Sequence, residues 1–344
     1  MQVGIEVILV RPGQGYAVFQ LTIDRLVVLA VNVWVYLAYA RVVATYIRKT
    51  GRLPNPADPA SLNDKFFWRK VFDRNPEFAA LSDKLESKRI AREKCPDISL
   101  PRTIWTGQRP EDIPDAVLAG NVVVKATHGS GYFKLLRNGD YDRAELEAEA
   151  NRWMQARYGR RHWEWGYFVV KPRLYVEELI LDSDGGYDTT EAKMYYYCGV
   201  ICRTVMLYNR QTDHPSSDAF RQDWSLFTHP SSLGLPRDMR PAPENVDQIE
   251  MLARQLCAGL DHVRCDLYLV GNKTYFGEFT LYNQGGYSVG GTGDPRKRPD
   301  FVYWDLRQSW FMRTPQRGLP GVYARCLRRM IERRDAADTQ ACLP

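Results

Sequence analysis

The chain has 344 residues, 44% of them hydrophobic and 26% charged, with a formal net charge of +6. This is an ordinary globular composition, long enough for one large domain or two to three modest ones with real cores, and its charge is too modest to point to nucleic acid as a partner. Seven cysteines, an odd number without CxxC spacing, fit a reducing compartment and argue against a zinc site.

The first element expected is an apolar helix. From Leu26 to Ala40 only Asn32 is not apolar, and beyond Arg41 the pattern continues through Val42, Val43, Ala44, Tyr46 and Ile47 to a basic Arg48-Lys49 pair. Asp24 and Arg25 precede the run and no small-residue cleavage site follows it, which is against a signal peptide. The uncharged run falls short of the roughly 20 residues that cross a bilayer. Three placements stay open: in the membrane face, buried or held by a partner, and spanning.

After the Pro-rich stretch 51–56 the chain turns charged and helical over 62–70 and 81–88. Ser82 is the expected N-cap of a helix that carries Lys84, Lys88 and Arg92 and ends before Pro96. Residues 121–125 read as a short buried strand and 127–132 as the turn after it. Residues 143–158 read as a helix with Leu146, Ala150, Trp153 and Met154 on one side. A strand over 171–180 holds Glu177 and Glu178 and ends in the Gly-rich stretch 182–186. Two strands within 191–207 turn at Cys198-Gly199, and 243–260 is an amphipathic helix with Ile249, Leu252, Ala253, Leu256 and Cys257 inward.

Residues 263–270 and 274–281 alternate as half-buried strands. Val263, Cys265, Leu267 and Leu269 oppose Arg264, Asp266 and Tyr268; Tyr275, Gly277, Phe279 and Leu281 oppose Thr274, Phe276, Glu278 and Thr280. With 271–273 as a three-residue hairpin loop, Asp266 faces Glu278 and Arg264 faces Thr280, the acids about 5 Å apart at Cβ. A like-charge pair is destabilising alone. A hard cation relieves it, Mg²⁺ in particular when phosphates complete its shell; the alternative is a surface hairpin whose acids are solvated or neutralised by arginines. The tail from Arg325 to Arg334 is an arginine-rich helix facing solvent or anionic lipid.

Strand, lysine, Gly-Ser-Gly turn, Glu-Glu strand and paired-acid hairpin follow one another in the order of an ATP-grasp site. The glycines of the turn leave backbone N–H groups free to fold over phosphates, and Lys125 at the strand end supplies a point charge to them. The chain resembles the TupA-like ATP-grasp family, named for a protein of teichuronopeptide synthesis and associated with cell-surface polysaccharides. The matching stretches are Ser61-Leu-Asn-Asp-Lys65, Asp73-Arg-Asn-Pro76, Leu81-Ser-Asp-Lys84, Val124-Lys-Ala-Thr-His-Gly-Ser-Gly131, Pro172-Arg-Leu-Tyr-Val-Glu-Glu178, Ala192-Lys193 with Cys198-Gly199, Val263-Arg-Cys-Asp266 and Phe276-Gly-Glu-Phe-Thr280.

The resemblance implies an α+β ATP-grasp fold, with two α+β subdomains gripping ATP between antiparallel sheets behind an apolar amino-terminal helix. Its expected parts are 1–50, the apolar helical segment; 51–120, a helical or α+β subdomain; 121–180, the lid with the Gly-rich loop; 181–315, with the metal-binding hairpin; and 316–344, the basic helix and tail. By the same resemblance Lys84 and Lys125 contact ATP phosphates, and Thr127, His128, Gly129, Ser130 and Gly131 close over them. Glu178 and Leu179 meet adenine through backbone groups, Glu177 is the polar hinge residue, and Asp184 meets the ribose. Lys193 approaches the transferred phosphoryl group, Arg264 stabilises developing negative charge, and Asp266 and Glu278 hold Mg²⁺. Where the superfamily usually has an asparagine two residues after the second acid, this chain has Thr280, leaving Asn283 or a water to substitute. The implied activity is an ATP- and Mg²⁺-dependent carboxylate-amine ligase, joining an amino acid or amino sugar to a surface glycan through an acyl phosphate. Its expected place is the cytoplasm, at the inner membrane face through residues 16–49 and the basic carboxy-terminal helix. A sugar kinase on the same site and a non-catalytic glycan-assembly subunit are the alternatives.

Overall fold

In the computed structural model, which describes residues 14–182, 185–186, 189–210, 212–227, 234–287 and 294–341, the apolar run becomes two helices, α1 (Gln14–Ala38) and α2 (Ala40–Thr50). Gly51 closes the second in the left-handed region at φ 72°, a conformation that costs glycine nothing. Next come α3 (Leu62–Val71), α4 (Glu77–Ser82) and α5 (Lys84–Lys94). Ser61 caps α3, accepting from the Asp64 N–H. The expected Ser82 cap is corrected: Ser82 ends α4, and Asp83 caps α5 by accepting from the N–H groups of Leu85 and Glu86. A carboxylate one residue later reaches two orphan donors at once.

Two antiparallel sheets follow. The smaller is built from β1 (Thr103–Gly107), β2 (Val122–Ala126), β3 (Phe133–Leu136) and β4 (Leu174–Glu178), in the order β1-β4-β2-β3. Between these strands the chain forms α6 (Asp115–Leu118) and α7 (Arg143–Gln155). Leu146, Ala150 and Trp153 of α7 pack on Val122, Val124, Leu174 and Val176. This sheet takes its edge strand β1 from the stretch 51–120.

The larger sheet, in the order β7-β6-β5-β8-β9, comprises β5 (Thr190–Tyr197), β6 (Val200–Tyr208), β7 (Ser216–Arg221), β8 (His262–Val270) and β9 (Lys273–Thr280). Cys198 and Gly199 both have positive φ, 45° and 95°, as a two-residue hairpin turn requires. α8 (Val246–Cys257) lays Ile249, Leu252, Ala253, Leu256 and Cys257 on one face, where Met194, Cys265, Leu267, Phe276 and Phe279 complete the main core. Phe66, Trp68, Phe78 and Leu81 of α3 and α4 belong to the same core.

The β8–β9 hairpin differs from expectation in two ways that cancel. Its loop has two residues, since Val270 pairs with Lys273, and a bulge then leaves Gly277 unpaired, so that Leu267 faces Phe276 while Asp266 faces Glu278. The bulge turns Phe276 into the core and Tyr275 out of it, opposite to strict alternation. A Cβ at Gly277 would sit 2.8 Å from the Asp266 carbonyl oxygen, so the residue must be glycine for the strands to close.

The chain ends through α9 (Pro299–Tyr303), α10 (Trp310–Arg313) and α11 (Gly318–Ala341), and α11 packs along α1. Asp24 of α1 is fully buried between Arg329 and Arg333 of α11, the latter at 2.8 Å. Val27, Val28 and Val31 rest on the main core, while Val35 joins Val42, Val43 and Tyr46 around Phe67, Val71 and Tyr287. The basic tail is turned inward in part. Arg329 and Arg333 share Asp24 and Arg334 pairs with Asp58, whereas Arg325 and Arg328 are exposed, Arg328 donating to the Met312 carbonyl.

Candidate active site

Directly paired residues share a sheet face, so the register of the larger sheet aligns Lys193, Asp266 and Glu278 in one row and Tyr195, Arg264 and Thr280 in the next. Asp266, 1% exposed, receives two hydrogen bonds of 2.6 Å from Arg264 and one of 2.8 Å from Lys193. Burial pushes its pKa up, but Arg264 and Lys193 more than reverse this and hold the carboxyl below its ordinary range. Glu278 accepts from Lys84 at 2.5 Å, with Arg264 at 3.8 Å. Against the pull of burial, Lys84 and Arg264 hold its pKa far down. Each acid has its own cationic partners here: Asp266 takes Arg264 and Lys193, and Glu278 takes Lys84 from α5.

The smaller sheet supplies the opposite wall. Glu177, 2% exposed, is gripped by Lys125 from β2 and Lys88 from α5, and Lys88 also donates to the Pro101 carbonyl at 2.9 Å. Burial raises the Glu177 pKa and the two lysines bring it below its ordinary value. The N–H groups of Glu178 and Leu179 donate to the carbonyls of Arg102 and Asn121. An adenine meeting this hinge at those two residues would have to use carbonyl oxygens.

Between the walls lies a cleft of ≈ 490 Å³. It brings together Lys84, Lys125, Ser130, Gly131, Glu177, Glu178, Leu179, Lys193, Arg264 and Glu278 from the expected set. Thr127, His128, Gly129, Asp266 and Thr280 are outside its lining. The Thr127 hydroxyl bonds to the Lys171 carbonyl and the Arg173 N–H, and its carbonyl accepts from the Lys84 N–H, which ties the loop to α5. His128 Nε2 bonds to the Trp153 carbonyl at 2.9 Å, and burial lowers the ring's pKa, so it anchors the loop to α7 as a neutral group. Gly129 lies against the rings of Tyr132 and Tyr158, where a Cβ would come within 2.5 Å of the first. Asp184 lies outside the described residues.

Sequence reasoning missed the far wall. Glu191 bonds to Lys193 at 2.5 Å and to Arg210, and Tyr268 lies beside them in the lining. Glu191 and Tyr268 had a signal, since each is two residues from a chosen residue on the same strand face. Arg210 follows β6 in a turn and had none. Lys88 was read only as a helix residue.

A model of the family described as TupA-like ATPgrasp matches residues 64–292, well over half of the chain. The chain belongs to the TupA-like ATP-grasp family. No curated protein matches its sequence. Among solved structures, this TupA-like chain is similar to D-alanine–D-alanine ligase from Bacillus anthracis complexed with ATP, at 16% identity and a TM-score of 0.33, over 58% of this chain and 53% of that one. It is also similar to the ATP-grasp ligase PsnB complexed with a minimal precursor, at 10% identity and a TM-score of 0.38, over 69% and 64%. D-alanine–D-alanine ligase from Helicobacter pylori gives 13% identity and a TM-score of 0.39, over 73% and 70%. The chain thus spans between about half and two thirds of the first two of these structures.

The donor set of this ATP-grasp chain fits a magnesium nucleotide. Among the described residues no three His, Cys, Asp or Glu side chains converge as a metal cage. Two carboxylates whose remaining coordination would come from phosphate oxygens are instead what Mg²⁺ typically takes. Six cationic side chains, Lys84, Lys125, Arg137, Lys193, Arg210 and Arg264, line the same cleft and match a polyanion.

Proposed function

We propose that the protein is an ATP-dependent carboxylate-amine ligase. The observation that carries this reading is the cleft joining Lys125, Ser130 and Gly131 on one sheet to Lys193 and Glu278 on the other, in the row whose middle residue, Asp266, lies just outside the lining. Lys84 and Lys125 bind the phosphates, and the turn through Ser130 and Gly131 shields them from water. Asp266 and Glu278 would hold Mg²⁺, which when bound neutralises phosphate charge. Lys193, fixed by Glu191 and Asp266, orients the γ-phosphoryl group toward a substrate carboxylate, and Arg264 stabilises the charge that develops during in-line transfer. The acyl phosphate so formed is captured by an amine to give an amide. No side-chain nucleophile is required.

The substrate class follows from the family's association with cell-surface polysaccharide. The carboxylate or the amine belongs to a uronic acid, amino sugar or amino acid of a surface glycan or its precursor, and the work is done in the cytoplasm at the inner membrane face. Incubation with ATP, Mg²⁺ and pools of amino acids and uronic-acid glycans tests this. Phosphate release with a product mass gain equal to an amide is expected, and EDTA should abolish both. Phosphate recovered on a sugar hydroxyl would make the protein a kinase, and no ADP under any condition would leave a non-catalytic subunit.

A further inference from the structure

The face of α1 that packing leaves outward is apolar and rimmed by positive charge. Phe19, Leu26, Leu29 and Leu37 are 63%, 60%, 61% and 77% exposed, and Trp34 is 50% exposed beside them. Soluble surfaces rarely gather so many large apolar side chains on one stripe. Its charge has one sign. Between residues 14 and 52 the single acid is Asp24, which is buried, whereas Arg25, Arg41, Arg48 and Lys49 are all exposed. An anionic bilayer surface matches both features, with acyl chains under the stripe and headgroup phosphates at the basic rim.

We propose that α1 and α2 seat the protein on an anionic lipid surface, with α1 lying in the plane of the interface. This gives the membrane association proposed above its surface and its geometry, and rests on it, while standing apart from the chemistry in the cleft. The orientation follows from the inward face. Phe19–Ala38 is long and apolar enough to cross a membrane by length and composition. Within that stretch, however, Asp24 is clamped by Arg329 and Arg333, and Val27, Val28 and Val31 sit on the main core. Threading the helix through a bilayer would strip these contacts and carry a carboxylate into hydrocarbon. In the plane, every inward contact is kept. The inward side of the seat is held as well by ring contacts: Tyr46 of α2 lies 6.2 Å from Tyr287, on the segment after β9, and Tyr39 lies 5.6 Å from Trp163.

Flotation of the full chain with vesicles tests the proposal. Binding to phosphatidylcholine vesicles containing phosphatidylglycerol is expected, about tenfold weaker on phosphatidylcholine alone, and released by an alkaline carbonate wash. Leu29→Glu with Leu37→Glu should lower binding about tenfold or more while leaving ADP release in solution unchanged. Failure to bind either vesicle overturns the membrane association itself. Binding that survives the carbonate wash keeps the association and overturns the in-plane geometry. A wild-type dimer that the double variant converts to monomer, without vesicle binding, assigns the face to a second copy and overturns the proposal.

Discussion

Lys84 and Glu278 form an ion pair at 2.5 Å in the cleft lining, and on the proposed reading, in which Lys84 binds phosphate and Glu278 binds Mg²⁺, the nucleotide opens it. Lys84→Met should raise the ATP concentration for half-maximal ADP release about tenfold or more, since a charge-assisted contact is lost. Asp266→Asn should lower turnover by about 10²-fold or more with the circular dichroism spectrum intact; unchanged turnover would remove Asp266 from the metal site. Glu177 gives a pH prediction. Burial raises its carboxyl pKa, but Lys125 and Lys88 bring it below the ordinary value, so the stability it contributes is present above the unfolded-state pKa and is lost as pH falls through the lower folded value. Glu177→Gln should therefore be less stable than wild type by about 3 kcal/mol at neutral pH, from two lysines left without a carboxylate. Thermal melts should show that gap narrowing below roughly pH 4. A gap of constant size would show that the ion pair is not its source.

The β8–β9 hairpin shows how an element can satisfy a pattern in a way the pattern does not reveal. Alternation of Asp266 with Cys265 and of Glu278 with Phe279 was legible, and so was the pairing of the two acids. The bulge was not, because period-2 reasoning assigns every residue a partner, whereas Gly277 has none. Its signature was the glycine itself, since a strand-interior glycine marks a bulge or a close backbone approach. Gly277→Ala should destabilise the protein by about 1–3 kcal/mol in urea unfolding, as the new Cβ pushes on the Asp266 backbone. The same variant should raise the Mg²⁺ concentration needed for ADP release, because the shift displaces one acid relative to the other.

At the scale of the whole molecule, Arg69 joins the amino-terminal helices to the β8–β9 hairpin. Fully buried on α3, it pairs with Asp261 at 2.5 Å and donates to the carbonyls of His262 and Leu281 at the two ends of the hairpin, with Asp73 at 3.8 Å. Arg69→Met should lower stability by about 3–5 kcal/mol, because it leaves buried carboxylates without their cation, and should reduce the melting temperature accordingly. Retention of wild-type stability would show that this network does not bind α3 to the hairpin. Asp73 opens one of the family's matching stretches, and its carboxylate accepts the Phe311 N–H, a structural role. By itself the sequence determined the order of the nucleotide-binding parts, the strands and helices that carry them and the pairing of Asp266 with Glu278, because these follow from short-range periodicity and from motifs whose spacing is local. Only the tertiary structure decided which cation neutralises each acid, that Thr127 and His128 brace the loop from outside the cleft lining, and which face of α1 remains outward. Those outcomes depend on contacts such as Lys84 with Glu278, 194 residues apart, and Asp24 with Arg329, 305 apart. No local pattern encodes such contacts, because the partner's position is set by the packing of the elements between.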